Sequence, residues 1–137
     1  MINQVQHVSS GFIYEVWDKV VEYFNDAIEI GNGDCTVDQL KVLVIKGFQT
    51  LLISVNEGEI NGAMTIEMIN YPNARVAFIT AMGGRYIVDE ETFSQVEHWA
   101  KSQGATKVQA LASPAQARLY RQKANFSADR FLVEKTL

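Results

Sequence analysis

The run Ala81-Met82-Gly83-Gly84-Arg85-Tyr86-Ile87-Val88-Asp89-Glu90-Glu91 carries the sharpest chemical question in the chain. Apolar residues stop at two glycines, and a helical pattern opens a few residues later with three consecutive acids. A glycine turn before a helix is where many α/β proteins hold a phosphate, because the first N–H groups and the helix dipole both favour an anion. The acids oppose that. Asp89 is a good N-cap, and each acid in the first turn stabilises an empty helix start by roughly 0.3–1 kcal/mol while repelling a phosphate. Two expectations stand side by side: an anion-binding loop in which Arg85 pairs with a phosphate, or a loop that has lost that task.

The other reactive residue types form no recognisable set. His7 and His98 are far apart and lack metal-ligand company, so no metal site is expected. His98, beside Trp99, reads as a packing or surface residue. Cys35 is the only cysteine, lies in a polar loop without a paired histidine and can form no internal disulfide. There is no Ser-His-Asp set and no P-loop. Glu67 alternates with Ala63, Thr65 and Ile69, opposite Met64, Ile66 and Met68. A carboxylate there either faces solvent or is tuned by a cleft. Tyr120 shares a helical face with Ala117 and Ala124, with Phe126 just beyond, and core packing alone would account for it.

These residues need elements to hold them. Ser9 and Ser10 can cap a helix over residues 11–30, with Phe12, Val16, Val20, Phe24 and Ile28 at helical spacing. Its other face carries Glu15, Asp18, Glu22, Asp26 and Glu29, a solvated face or a surface that attracts an amine or a basic partner. Gly31-Asn32-Gly33-Asp34 breaks that helix. Thr36 with Gln39 fits a capping box for a second helix ending near Gly47. Strand-like runs over 48–56, 60–70 and 74–82 are joined by tight turns at Glu57-Gly58-Glu59 and Tyr71-Pro72-Asn73, an antiparallel meander.

Residues 89–103 then read as a helix with Phe93, Val96, Trp99 and Ala100 as its buried stripe and Gly104 as its stop. A short strand over 107–112 leads into Ser113-Pro114-Ala115-Gln116, a well-formed start for a helix to about residue 124, and residues 131–135 read as a last strand. Strand, helix, strand from 74 to 112 requires a parallel pair with a right-handed crossover. The whole reads ααβββαβαβ: one α/β (α+β) domain over residues 1–137, a mixed sheet with helices on both faces.

Composition bounds the function. The 137 residues are 47% hydrophobic and 20% charged, the balance of a folded domain with a real core. A net charge of −4 with scattered basic residues argues against nucleic acid as the main partner. Residues 1–7 lack the basic and apolar blocks of a signal peptide, and no apolar run could span a membrane, so neither secretion nor a membrane partner is expected.

With this element order, the chain resembles the GNAT N-acetyltransferase superfamily over nearly its whole length. Val96-Glu97-His98-Trp99-Ala100-Lys101-Ser102-Gln103-Gly104-Ala105 is similar to the family's central helix running into its Gly-terminated turn. Ala117-Arg118-Leu119-Tyr120-Arg121-Gln122-Lys123-Ala124-Asn125-Phe126 resembles the closing motif A-x-x-L-Y-x-x-x-G-F, with one extra residue and with Asn125, which accepts the left-handed conformation, in place of glycine. Trp17, Gly62-Ala63, Tyr71-Pro72 and Met82-Gly83-Gly84 look most like the small GNAT-like proteins encoded by tailed phages, some of which are virion components and not enzymes.

The resemblance implies transfer of an acetyl group from acetyl-CoA to an amine. Met82, Gly83, Gly84 and Arg85 would hold the cofactor, Tyr120 would protonate the departing thiolate, and Glu67 would remove the amine proton. An N–H at Thr80 or Ala81 would polarise the thioester carbonyl. The family's cofactor signature is Gln or Arg, two residues, Gly, one residue, then Gly or Ala, running straight into the helix. Here the glycines come too early, and Tyr86, Ile87 and Val88 stand where bare backbone should face phosphate. Two functions follow. One is a GNAT-fold binding or structural protein of phage type with no cofactor, partnered by other virion proteins or by itself, in the host cytoplasm or the virion interior. The other is an active acetyl-CoA-dependent N-acetyltransferase.

Overall fold

The computed structural model describes residues 3–30, 34–84 and 89–137, with the side chains of 26–30 excepted. Arg85 lies outside the described residues, as does most of the break at residues 31–33; so do the side chains of Asp26, Ile28 and Glu29. The elements run β1 (Gln4–Val8), a 3-10 turn (Ser10–Phe12), α1 (Ile13–Ile30), α2 (Val37–Ile45), β2 (Thr50–Asn56), β3 (Glu59–Tyr71), β4 (Ala74–Gly84), α3 (Glu90–Ser102), β5 (Lys107–Ala110) and α4 (Pro114–Ala124).

Local chemistry fixes most of these boundaries. Glu57 and Gly58 both take positive φ, 52° and 79°, which gives the two-residue hairpin turn whose twist matches its strands. Thr36 and Gln39 form both halves of a capping box, at 3.1 and 2.9 Å. Ser113 and Gln116 do the same at 3.2 and 2.9 Å, with Pro114 at the first helical position. Asn125 closes α4 in the left-handed region, φ 57° and ψ 37°.

The five strands lie in chain order, β1-β2-β3-β4-β5, antiparallel throughout except for the parallel β4–β5 pair. Side-chain alternation then sorts the core into two layers. Leu51, Ile53, Ala63 and Ala81 face α1 and α2, where Ile13, Trp17, Val20, Phe24, Leu40 and Val44 are buried. Leu52, Met64, Ile66, Ala77 and Ile79 face α3, against Phe93, Val96 and Ala100. This is the expected mixed sheet with helices on both faces.

The element order departs from expectation at both ends. Residues 4–8 form a strand that the sequence hides: Gln-Val-Gln-His-Val has no period-two apolar pattern, and it is held by its ladder to β2 over Gln4↔Val55 to Val8↔Leu51. Residues 131–135 are not a strand; among the described residues β5 has a neighbour only in β4, and the chain after Phe126 is without regular structure. A smaller correction concerns α1. After the 3-10 turn the first buried positions fall one residue later than expected, Ile13 and Trp17 in place of Phe12 and Val16, so Phe12 is 58% exposed, while Val20 and Phe24 are buried as expected. Ser9 contributes its carbonyl to Phe12 N–H at 2.9 Å, and its hydroxyl caps nothing.

Candidate functional site

The sheet opens where β4 and β5 part. Their parallel ladder ends at Ile79↔Ala110, after which β4 continues to Gly84 and the other chain turns into α4. A bulge sits at that point: Thr65 pairs with Ala81 and Ile66 with Ile79, leaving Thr80 with no cross-strand partner on β3. Thr80 donates to Gln49 Oε1 at 2.5 Å and lies 2.7 Å from the hydroxyl of fully buried Thr65. Sequence reading named Thr80 for its backbone and missed this Gln49–Thr80–Thr65 cluster. A threonine in a strand is ordinary, and only the bulge makes its side chain distinctive.

The N-terminus of α3, across from this opening, is capped by its own Asp89. Asp89 Oδ1 accepts from Thr92 N at 2.9 Å, and its Oδ2 accepts from the Thr92 hydroxyl at 3.2 Å. Thr92 is 1% exposed and in turn accepts from Asn3 Nδ2 at 3.5 Å. Asn3 Oδ1 accepts from Asn61 Nδ2 at 2.6 Å, and Asn61 Oδ1 from the Ser54 hydroxyl at 2.6 Å. Every donor in this relay points the same way, from Ser54 through Asn61, Asn3 and Thr92 to the Asp89 carboxylate, an arrangement in which each bond polarises the next. Gln95 adds a clamp, accepting from Val5 N at 2.9 Å and donating to Asn3 O at 2.6 Å. The Asp89 carboxylate is thus fixed against the Thr92 amide by β2, β3 and the segment leading into β1, while Glu90 and Glu91 are exposed in the same turn.

The two glycines are committed elsewhere. Both belong to β4, with Gly83 paired to Ala63 and Gly84 to Gly62. A Cβ on Gly83 would run into the backbone carbonyl of Tyr23, so the missing side chain is what lets α1 lie directly on β4. Gly84, at φ 100°, meets the backbone of Asn61 and Gly62 just as closely. Met82 is half-buried and packs against the α3 layer.

Tyr120 is half-buried on α4, its ring 5.8 Å from Phe126, which stands edge-on to Phe93 at 5.3 Å. Burial pushes its phenol above the ordinary 10.0, keeping it protonated at neutral pH. A folded-state value raised above the unfolded one means that its contribution to stability is intact below pH 10.0 and lost as pH climbs through the higher folded value. Wild type is therefore expected to lose melting temperature above pH 10 more steeply than Tyr120→Phe, with the two indistinguishable in slope near pH 7; parallel profiles would show that the phenol does not feel its surroundings.

Glu67 is exposed, pairs with Phe78 and shares the α1–α2 face with Ala63 and Thr65. Tyr120 packs with Phe126 on the α3–α4 face. The structure does not bring this pair together; they flank the sheet. Among the described residues no three His, Cys, Asp or Glu side chains gather to hold a metal, and no helix is long and apolar enough to cross a membrane.

No protein-family model matches the chain, and no curated protein matches it either. Solved structures do. An aminoglycoside acetyltransferase from an uncultured soil metagenomic sample, in complex with sisomicin, superposes with a TM-score of 0.72 at 12% identity, covering 99% of this chain and 95% of the other. A GNAT family acetyltransferase of Staphylococcus aureus gives 0.68 at 13% identity and 100% of both chains. The chain has the GNAT fold. AAC(6')-Iy, in complex with the bisubstrate analogue CoA-S-monomethyl-acetylneamine, shares that fold with a TM-score of 0.68 at 13% identity over 100% of this chain and 99% of the other. The end of β4, from Thr80 to Gly84, and the start of α3 are where the sequence resemblance expects the cofactor.

Proposed function

We propose that this is a GNAT-fold protein whose acetyl-CoA site has decayed, serving as a binding or structural component. The observation that carries this reading is the Asp89 carboxylate seated on the first turn of α3 and held there by the buried relay from Ser54. A diphosphate at that turn would have to displace the Asp89 carboxylate from the Thr92 amide and would meet Glu90 and Glu91 beside it. The described residues therefore do not fit the cofactor's diphosphate. Gly83 and Gly84, which a cofactor loop would use for close approach, are taken up by Tyr23, Asn61 and Gly62. The phage-type resemblance suggests a virion as the setting and other virion proteins as partners.

The second reading, an N-acetyltransferase acting on an amine, draws on the bulge at Thr80 beside the opening of the sheet and on the protonated phenol of Tyr120. In it Tyr120 is the acid and Glu67 the base, with Met82, Gly83, Gly84 and Arg85 holding acetyl-CoA.

Titration with acetyl-CoA separates the two. A ligand present at 100 times its dissociation constant adds about 2.7 kcal/mol of stability, which is a rise of several degrees in Tm for a chain of this size. The decayed-site reading expects less than about 1 °C at 1 mM acetyl-CoA and no saturable heat by calorimetry. A saturable isotherm would return the chain to the enzymes.

A further inference from the structure

The two edges of the sheet are covered differently. On the β5 side, Arg130 of the tail lines a shallow recess with Lys107 and Gln109. On the β1 side, among the described residues, β1 pairs with β2 alone. The strand itself carries nothing that discourages another from joining it. Gln4–Val8 contains no proline, glycine, lysine or acid, and the first Asp, Glu, Lys or Arg of the sequence is Glu15. A bare, uncharged edge of this kind is a template for pairing with a second chain.

The hydrogen bonds show which groups that edge offers. In an antiparallel pair, successive residues turn their N–H and C=O alternately toward the partner and away from it. Val5 N–H goes to Gln95 Oε1 at 2.9 Å, so Asn3, Val5 and His7 form the outward set, while Gln4, Gln6 and Val8 bond to β2. The Asn3 carbonyl agrees, accepting from Gln95 Nε2 at 2.6 Å. Asn3 C=O and Val5 N–H flank Gln4 on the open side of the strand. They are the two groups that one residue of an added parallel strand would bond. Gln95, on the second turn of α3, reaches both with a single side-chain amide, its acceptor and its donor used together.

We propose that Gln95 is an edge guard: its amide stands in for one residue of a neighbouring strand and keeps β1 from pairing with the β1 of a second copy of this chain. Without the guard, the edge offers Asn3 C=O, then both groups of Val5, then both groups of His7. Two such edges, identical and antiparallel about a two-fold axis, satisfy each other. With the guard seated, only Val5 C=O and the two groups of His7 remain, a run too short to offset the cost of ordering a second chain. The His7 ring lies 6.1 Å from that of Trp99, so α3 flanks this remnant as well.

Amide exchange reads the guard independently of any other contact the protein makes. In the wild type, Val5 should exchange slowly and His7 fast, at low concentration and at about 1 mM alike. In Gln95→Ala, Val5 should exchange about tenfold faster at low concentration. Both amides should then gain protection as concentration rises, in step with association seen by sedimentation. Gln95→Met fills the same space without an amide and should behave in the same way, which separates the guard from packing. His7→Pro removes an outward N–H and no bond to β2, so Gln95→Met/His7→Pro should sediment as the wild type does. Two Gln95 variants that associate no more than the wild type, association that the proline leaves intact, or a wild type whose His7 amide is already protected at high concentration would each overturn the proposal.

Discussion

Gly83→Ala is expected to lower the unfolding free energy by about 3 kcal/mol or more, at the upper end of what overpacking costs. The reason is backbone against backbone. The added methyl would fall on the Tyr23 carbonyl, and neither α1 nor β4 can yield as a flexible side chain would. Moving α1 away from β4 also loosens the layer holding Trp17, Val20 and Phe24, all buried. For a chain of this length the melting temperature should fall by roughly 10 °C. Gly11→Ala, with nothing within 4 Å of the new methyl, serves as the control and should stay within about 0.5 kcal/mol. Thermal melts of the two variants decide the matter. A Gly83→Ala protein as stable as wild type would mean that the glycine was there for a ligand and not for α1.

Phe93→Ala should be costlier still, about 3–5 kcal/mol. Phe93 is 1% exposed, sits among Ile66, Ile79 and Val96, and is the ring on which Phe126 rests. Removing it leaves a cavity between sheet and helix and takes away the anchor at the end of α4. The melting temperature should drop by roughly 10–20 °C, and amide exchange in α4 should accelerate more than in α2, which packs in the other core layer, away from Phe93. Uniform acceleration across both would show that α4 has no separate attachment.

These expectations rest on packing that the sequence shows only in part. The capping boxes at Thr36 and Ser113, the hairpin at Glu57-Gly58 and the left-handed Asn125 were all readable, because each depends on residues a few positions apart, and the parallel pair around α3 followed from the strand-helix-strand order. β1 was not. Its stability lies in a ladder to residues some fifty positions away, and its own side chains, two glutamines and a histidine among five, carry no signal of burial. The opposite error was made at residues 131–135, whose composition promises a strand that the single chain gives no partner. Phe12 was placed in the core because a one-residue shift of phase, caused by the 3-10 turn, cannot be read from spacing alone.

The candidate site divides along the same line. Asp89 was recognised as a cap from its type and position, and it is one. That Asn3, Asn61 and Ser54 hold it there could not be seen, since the contacts join residues from 7 to 89 positions apart. The glycines were read as a loop because glycine pairs usually are; only the approach of Tyr23 and Asn61 reveals what they accommodate.

The relay also constrains the order in which the molecule is made. The threonine that completes the hydrogen bonds of Asn3 follows it from the ribosome by 89 residues, a wait of roughly 5–20 s at ordinary elongation rates. Through that interval β1 has its hairpin partners to join, but its leading residue stays uncommitted until the central helix emerges and seals it. Vectorial synthesis thereby leaves the entry to β1 unlocked until well after its hairpin partners have been made.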